Sequence, residues 1–151
     1  LSHTLLECFG PGPVVIGPIV EGLDQAGLSA AAALAELAAA RAWPTAPRPV
    51  AADDLLPERV LVGDTIARRT LVDEVYRPLV NAGGSLLETL AAHAEHGRSL
   101  EAEARVLYVH TNTVRYRLRK VAEVTGWDPL DPREGYVLQT ALALGRLEGT
   151  V

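Results

Sequence analysis

The sequence predicts a mainly α fold, a helix-turn-helix bundle preceded by a small, incomplete α/β segment, and three observations carry this. The second half holds two apolar helical patterns separated by a tight turn, Leu100-Ala104-Leu107 and then Val114-Leu118-Val121. The first half holds a β-branched run, Val14 to Val20, followed by an alanine-rich stretch from Ser29 to Ala42. With 151 residues, 48% of them hydrophobic, the chain can bury one core, or one small core beside an incomplete second.

Val14 to Val20 follows Gly10-Pro11-Gly12-Pro13 and predicts a strand entered from a loop, its regularity limited by Gly17-Pro18. Gly10-Pro-Gly lacks the Lys and Ser/Thr of a phosphate-binding loop and reads as an ordinary turn. Ser29 is the expected N-cap of a helix to Ala42, packed closely by small side chains. Three prolines between Trp43 and Val50 stop it and lead to an extended piece near Pro49 to Ala52. Asp53-Asp54 opens a brief helix through Arg59. Asp64 caps a longer one, Thr65 to Leu79, in which Ile66, Leu71, Val72, Val75 and Leu79 recur at helical spacing and Pro78 tightens or ends the helix. This apolar stripe is a candidate dimer surface.

Asn81-Ala82-Gly83-Gly84 is the strongest punctuation in the chain and marks the expected domain boundary. The predicted organisation is therefore a partial α/β segment over 1–62, a connecting helix over 63–83 and a helix-turn-helix domain over 84–151. Ser85 is the expected cap of a helix with Leu86, Leu87, Leu90 and Ala94 inward. A short helix from Ser99 to Leu107, a turn at Tyr108 to His110 and a long helix from Thr111 to Thr125 ended by Gly126 follow. After the loop Trp127 to Pro132, a last helix covers Glu134 to Leu147. Trp127 is expected to pack that loop against the last helix, and Tyr76 and Tyr136 read as core or interface residues.

A net charge of −5 argues against nucleic acid if charge were spread evenly. It is not spread evenly. Between Ala104 and Ala122 lie five basic residues, Arg105, Arg115, Arg117, Arg119 and Lys120, and no acid. A second helix held proud of the first fits the major groove of B-DNA. Val114, Leu118 and Val121 form its inward stripe, so its other positions form a reading face. His110, Thr111, Asn112 and Tyr116 are the expected base-edge contacts, because Asn bonds an adenine edge and Thr or Tyr adds apolar contact with a thymine methyl. Thr113, Arg115, Arg117, Arg119 and Lys120 are expected to meet phosphates, fixing orientation. Thr111 or Asn112 is the expected cap. A cationic helix face is more often merely solvated; its freedom from acids favours the nucleic-acid reading.

Other chemistry finds little support. His93 and His96 share a helix face but no third ligand follows, so a solvated pair is expected and no metal. Neither Ser2 with His3 nor Ser99 with His96 has the surroundings of a nucleophile system. The lone Cys8 excludes an intramolecular disulfide and fits a reducing cytoplasm as a small buried residue. No apolar run approaches the roughly 20 residues of a membrane span, and the first residues lack a signal peptide's basic region. No catalytic residue, cofactor or membrane role is expected. A start without Met, and no Met anywhere, predicts a segment of a longer protein.

Several motifs carry a family resemblance: Leu86-Leu-Glu-Thr-Leu, Gly97-Arg-Ser-Leu-Glu-Ala-Glu-Ala-Arg-Val-Leu, the core His110-Thr-Asn-Thr-Val-Arg-Tyr-Arg-Leu, Thr125-Gly-Trp-Asp, Asp131-Pro-Arg and Leu138-Gln-Thr-Ala-Leu-Ala-Leu. This stretch resembles the carboxy-terminal helix-turn-helix of the purine-catabolism regulator family, shared with the sugar-diacid regulators of bacteria. The resemblance implies DNA binding by the helix from Thr111, with His110, Asn112, Thr113, Arg115, Tyr116 and Arg117 at its reading end. Glu103 departs from the pattern and is expected to pair locally with Arg98 or Arg105. The first 60 residues resemble, more loosely, the tail of a degenerate cyclase-like α/β domain, through Val14-Val-Ile-Gly-Pro, the alanine-rich helix and Pro49 to Arg59. They lack the Gly-Gly-Asp/Glu-Glu-Phe turn of an active cyclase.

The expected function is sequence-specific binding of double-stranded DNA by a bacterial transcription regulator, as a homodimer in the cytoplasm, with any effector bound upstream of Leu1. The alternative is a protein-interaction or effector-coupling module, which the acidic overall balance favours but for which five clustered cations have no use.

Overall fold

The computed structural model describes residues 6–96 and 99–149. The chain divides into two compact units, with the break between Ala67 and Arg68. The segment expected as a connector over 63–83 is thereby divided, and its part from Arg68 onward belongs to the second unit.

In the first unit, strands β1 (Val15–Ile16) and β2 (Val50–Ala51) pair in parallel, Val15 opposite Val50 and Ile16 opposite Ala51. Helix α1 (Ala26–Ala40) makes the crossover that parallel strands need. The strand expected over Val14 to Val20 is only two residues long. Pro18 has no amide to donate, and Gly17 lies so close to α1 that an added Cβ would strike the Ser29 carbonyl. Ser29 is not the cap of α1; it sits within the helix and its hydroxyl donates to the Pro18 carbonyl at 2.8 Å. Ala40, Val50 and Leu55 form the core of this unit, with Val15, Trp43 and Ala46 against it.

Arg59, in α2 (Leu56–Leu61), is the polar hub of the first unit. Its guanidinium donates to Asp64 at 2.8 Å and pairs with buried Glu36 of α1 at 3.2 Å. Asp64 caps α3 (Thr65–Thr70) as expected, accepting from the Ile66 and Ala67 amides at 2.8 and 3.1 Å. Burial pushes the Asp64 carboxyl up, but the Ala67 amide, the Arg59 guanidinium and the Ile66 amide together hold it below its usual value. Glu36 moves the other way, because burial outweighs the attraction of Arg59. Cys8, expected buried, is exposed next to the short turn's end at Leu6–Cys8.

Helix α3 continues through a π-helical turn, Leu71–Tyr76, into α4 (Arg77–Asn81). The wide turn has a local cause. In α geometry the Pro78 ring would crowd the Glu74 carbonyl, and the π register lets the Arg77 amide reach back to the Val72 carbonyl instead. Leu71, Val72, Val75 and Leu79 are buried, and the π turn packs on the last helix of the unit, Pro132–Glu148. Leu71 to Leu79 are therefore used inside the second unit and do not offer a dimer surface, which corrects the expectation for all of the stripe but Ile66, 70% exposed. Tyr76 lies flat on Gly145, where any Cβ would enter its ring.

Helix α5 (Gly84–Glu95) starts one residue ahead of the expected Ser85 cap, from Gly83 at φ +114. Then come α6 (Leu100–Val106), α7 (Thr111–Thr125) and α8 (Pro132–Glu148). Asp131 caps α8 by accepting from the Arg133 and Glu134 amides at 2.8 and 2.9 Å. Gly126, at φ +78, closes α7 as expected. Among the described residues, no helix is long and apolar enough to cross a membrane.

Gly145→Ala is expected to lower the stability of the second unit by about 1–3 kcal/mol through overpacking against Tyr76, measurable as a reduced urea midpoint with an unchanged m-value.

Candidate nucleic-acid interface

Helix α7 is seated by three residues. Val114, Leu118 and Val121 are each at most 2% exposed, as their spacing predicts. Val114 and Leu118 pack on Ala104 of α6, with Leu100, Leu107 and Val109 around them. Ala104 is small enough to let the two helices approach, and the α6–α7 turn is held by the Val109 amide donating to the Ala104 carbonyl at 3.0 Å. The cap of α7 is His110 rather than Thr111 or Asn112, its Nδ1 accepting from the Asn112 amide at 3.1 Å. An imidazole nitrogen here does what a serine or aspartate oxygen does at other helix starts.

This seat leaves most of the expected contact residues outside. His110, Asn112, Arg115, Tyr116, Arg119 and Lys120 are exposed, Tyr116 by 63%. Thr111, Thr113 and Arg117 are half-buried. Arg117 leans back on α5, its guanidinium 3.4 Å from the Thr89 hydroxyl, so it is less available than the other cations. Asn112 and Arg115 form a unit of their own, the guanidinium donating to the Asn112 side-chain oxygen at 3.1 Å. Lys120 pairs with Glu123 at 2.8 Å, the hydrogen bond raising the lysine and lowering the carboxyl from their ordinary values. Sequence reasoning passed over Tyr108, 94% exposed in the turn at the same end of α7.

Behind the helix lies a polar pair that sequence reasoning misread. His93 is 3% exposed, not solvated, and Glu103 is fully buried. His93 Nδ1 stands 2.9 Å from Glu103 Oε1 and its Nε2 3.2 Å from the Pro129 carbonyl. Glu103 therefore pairs with His93, not with Arg105; the other partner expected for it, Arg98, lies outside the described residues. The pair joins α5, α6 and the loop after α7 at one point. Its signal was present in the sequence: His93 follows Leu86 and Leu90 in inward register, and Glu103 lies between Leu100 and Leu107 on the face that carries Ala104.

A helix seated by its apolar stripe on a shorter one, with cations and short polar groups outward, defines a helix-turn-helix domain of the kind found in transcription regulators. Residues 86–144 match the PucR C-terminal helix-turn-helix domain. Over these residues the chain is similar to the PucR regulators of transcription. An uncharacterised protein of Mycobacterium tuberculosis is 49% identical over 143 residues, covering 95% of this chain and 34% of that one. The Bacillus subtilis purine catabolism regulatory protein is 43% identical over 63 residues, covering 42% of this chain and 12% of that one. The crystal structure of a regulator of polyketide synthase expression from Bifidobacterium adolescentis superposes with a TM-score of 0.80 at 45% identity, over 91% of this chain and 55% of that one. The chain thus spans about a third of the length of the mycobacterial relative.

His93→Ala should destabilise the second unit by about 3 kcal/mol, because it strands a buried carboxylate, whereas replacing His93 and Glu103 together with Leu should restore most of the loss. Urea unfolding of the single and double variants reads this directly. Equal losses in both would refute the pairing.

Proposed function

We propose that the chain binds double-stranded DNA sequence-specifically, as the DNA-binding part of a bacterial regulator with no catalytic activity, and that α7 is its recognition helix. One observation carries the reading: α7 exposes His110, Asn112 and Tyr116 at its leading end and Arg115, Arg119 and Lys120 along its length, from a stretch without acids before Glu123. In this mode Asn112 and Tyr116, with Thr111 and His110 beside them, meet base edges in the major groove. Arg115, Arg119 and Lys120 meet phosphates, with Thr113 and Arg117 contributing from their half-buried positions. Arg115 holds the Asn112 amide in place, so the two act together. A single recognition helix reads few base pairs. Useful specificity therefore calls for a homodimer on half-sites about one helical turn apart, acting on the chromosome in the cytoplasm.

The three exposed cations, Arg115, Arg119 and Lys120, by themselves give a slope of log affinity against log salt of about −2.7 per protomer, or roughly a 40-fold loss over a fourfold rise in salt. Fluorescence anisotropy with a duplex selected from a genomic library checks this, and binding indifferent to salt would refute it. Arg115→Ala should flatten the slope by about 0.9 per protomer and weaken discrimination at the base that Asn112 meets. Glu123→Gln should tighten binding about twofold by releasing Lys120 from an exposed pair.

A further inference from the structure

We propose that Tyr108 is an additional contact to the DNA backbone, its phenol hydroxyl donating to a phosphate oxygen beside the groove that α7 enters; this rests on the reading of α7 as a recognition helix. Among the described residues, Tyr108 is the non-glycine residue with positive φ, at +54. A Cβ is disfavoured in that left-handed conformation, which glycine adopts freely. Packing does not offset the strain, because the side chain is 94% exposed. The turn is anchored by backbone instead, the Tyr108 amide donating to Arg105 at 3.3 Å and the Val109 amide to Ala104 at 3.0 Å. A bulky aromatic where local energetics favour glycine, and where the core makes no use of it, points to a role outside the fold.

Position selects the partner. Tyr108 stands two residues ahead of His110, the cap of α7, and its neighbours Arg105 and His110 are both exposed. The surrounding segment from Ala104 to Ala122 holds no acid, and tyrosine hydroxyls are among the groups that bond phosphate oxygens. A protein-docking surface would call for a contiguous apolar patch. Between Leu100 and Val114 the other exposed large apolar side chain is Val106, at 51%.

The test titrates the 151-residue chain, with Tyr108→Phe and Tyr108→Gly beside it, into the selected fluorescent duplex, and records melting temperatures. Tyr108→Phe keeps the ring and the strained turn but loses the donor. Affinity should fall about tenfold, equally on all sequences, and the salt slope should not change because no charge is removed. Tyr108→Gly should weaken binding at least as much without lowering the melting temperature, since relief of the left-handed strain opposes glycine's extra freedom when unfolded. Wild-type affinity in both variants overturns the proposal and leaves the reading of α7 standing. Weaker binding that tracks a lowered melting temperature in both variants also overturns it, as a structural role. A wild-type chain that binds no duplex overturns both readings.

Discussion

The interface depends on how α7 is seated, against α6 on one side and α5 and α4 on the other. Val114, Leu118 and Val121 are buried, and Asn112, Arg115, Tyr116, Arg119 and Lys120 present polar groups outward. Fully burying a side chain of this kind contributes about 1.5–3 kcal/mol, so three of them hold the helix and leave Arg115, Arg119 and Lys120 exposed, while Arg117 leans back on Thr89. The closeness of the seat rests in turn on Ala104, and the orientation of α6 rests on Glu103 one position earlier in the chain. A larger residue at 104 would lift α7 away from its support.

The His93–Glu103 pair gives this arrangement directionality. An apolar contact is indifferent to small rotations, whereas a carboxylate, an imidazole and a carbonyl in line must keep their geometry. His93 meets Glu103 on one side and Pro129 on the other, so α5, α6 and the loop that follows α7 are indexed to one another. Among the described residues the second Glu103 oxygen, Oε2, is buried and finds no hydrogen-bond donor. A recognition helix needs this kind of rigid support more than it needs extra stability.

The arrangement of charge follows the same logic. The chain is acidic overall, and the acid-free stretch from Ala104 to Ala122 runs from the end of α6 through the turn and most of α7. A protein basic throughout would hold DNA by charge alone, at any sequence. Concentrating the cations on one helix and balancing them elsewhere limits that background. Glu123 paired with Lys120 marks where the cationic face of α7 ends.

Helix α7, expected over about Thr111 to Thr125, is legible because its apolar period, its glycine end and its neighbouring turn all agree. The buried pair is not legible from neighbours in sequence, where His93 stands near His96 and Glu103 near Arg105; only their shared inward register on two helices reveals it. The cap expected at Ser29 fails because its hydroxyl bonds Pro18 from within the helix, and the one expected at Ser85 because the helix starts earlier, from Gly83. The stripe from Ile66 to Leu79 is apolar, but periodicity cannot say what covers it: α8 covers the π turn, and α5 and α7 pack on the helix that carries Leu79. Titrating the isotope-labelled chain with the selected duplex, and following backbone amide shifts, tests the central claim most directly. The account predicts the largest shifts on the outward face between Tyr108 and Lys120, with Val114, Leu118 and Val121 still protected; largest shifts in the first unit or on α8 would contradict it.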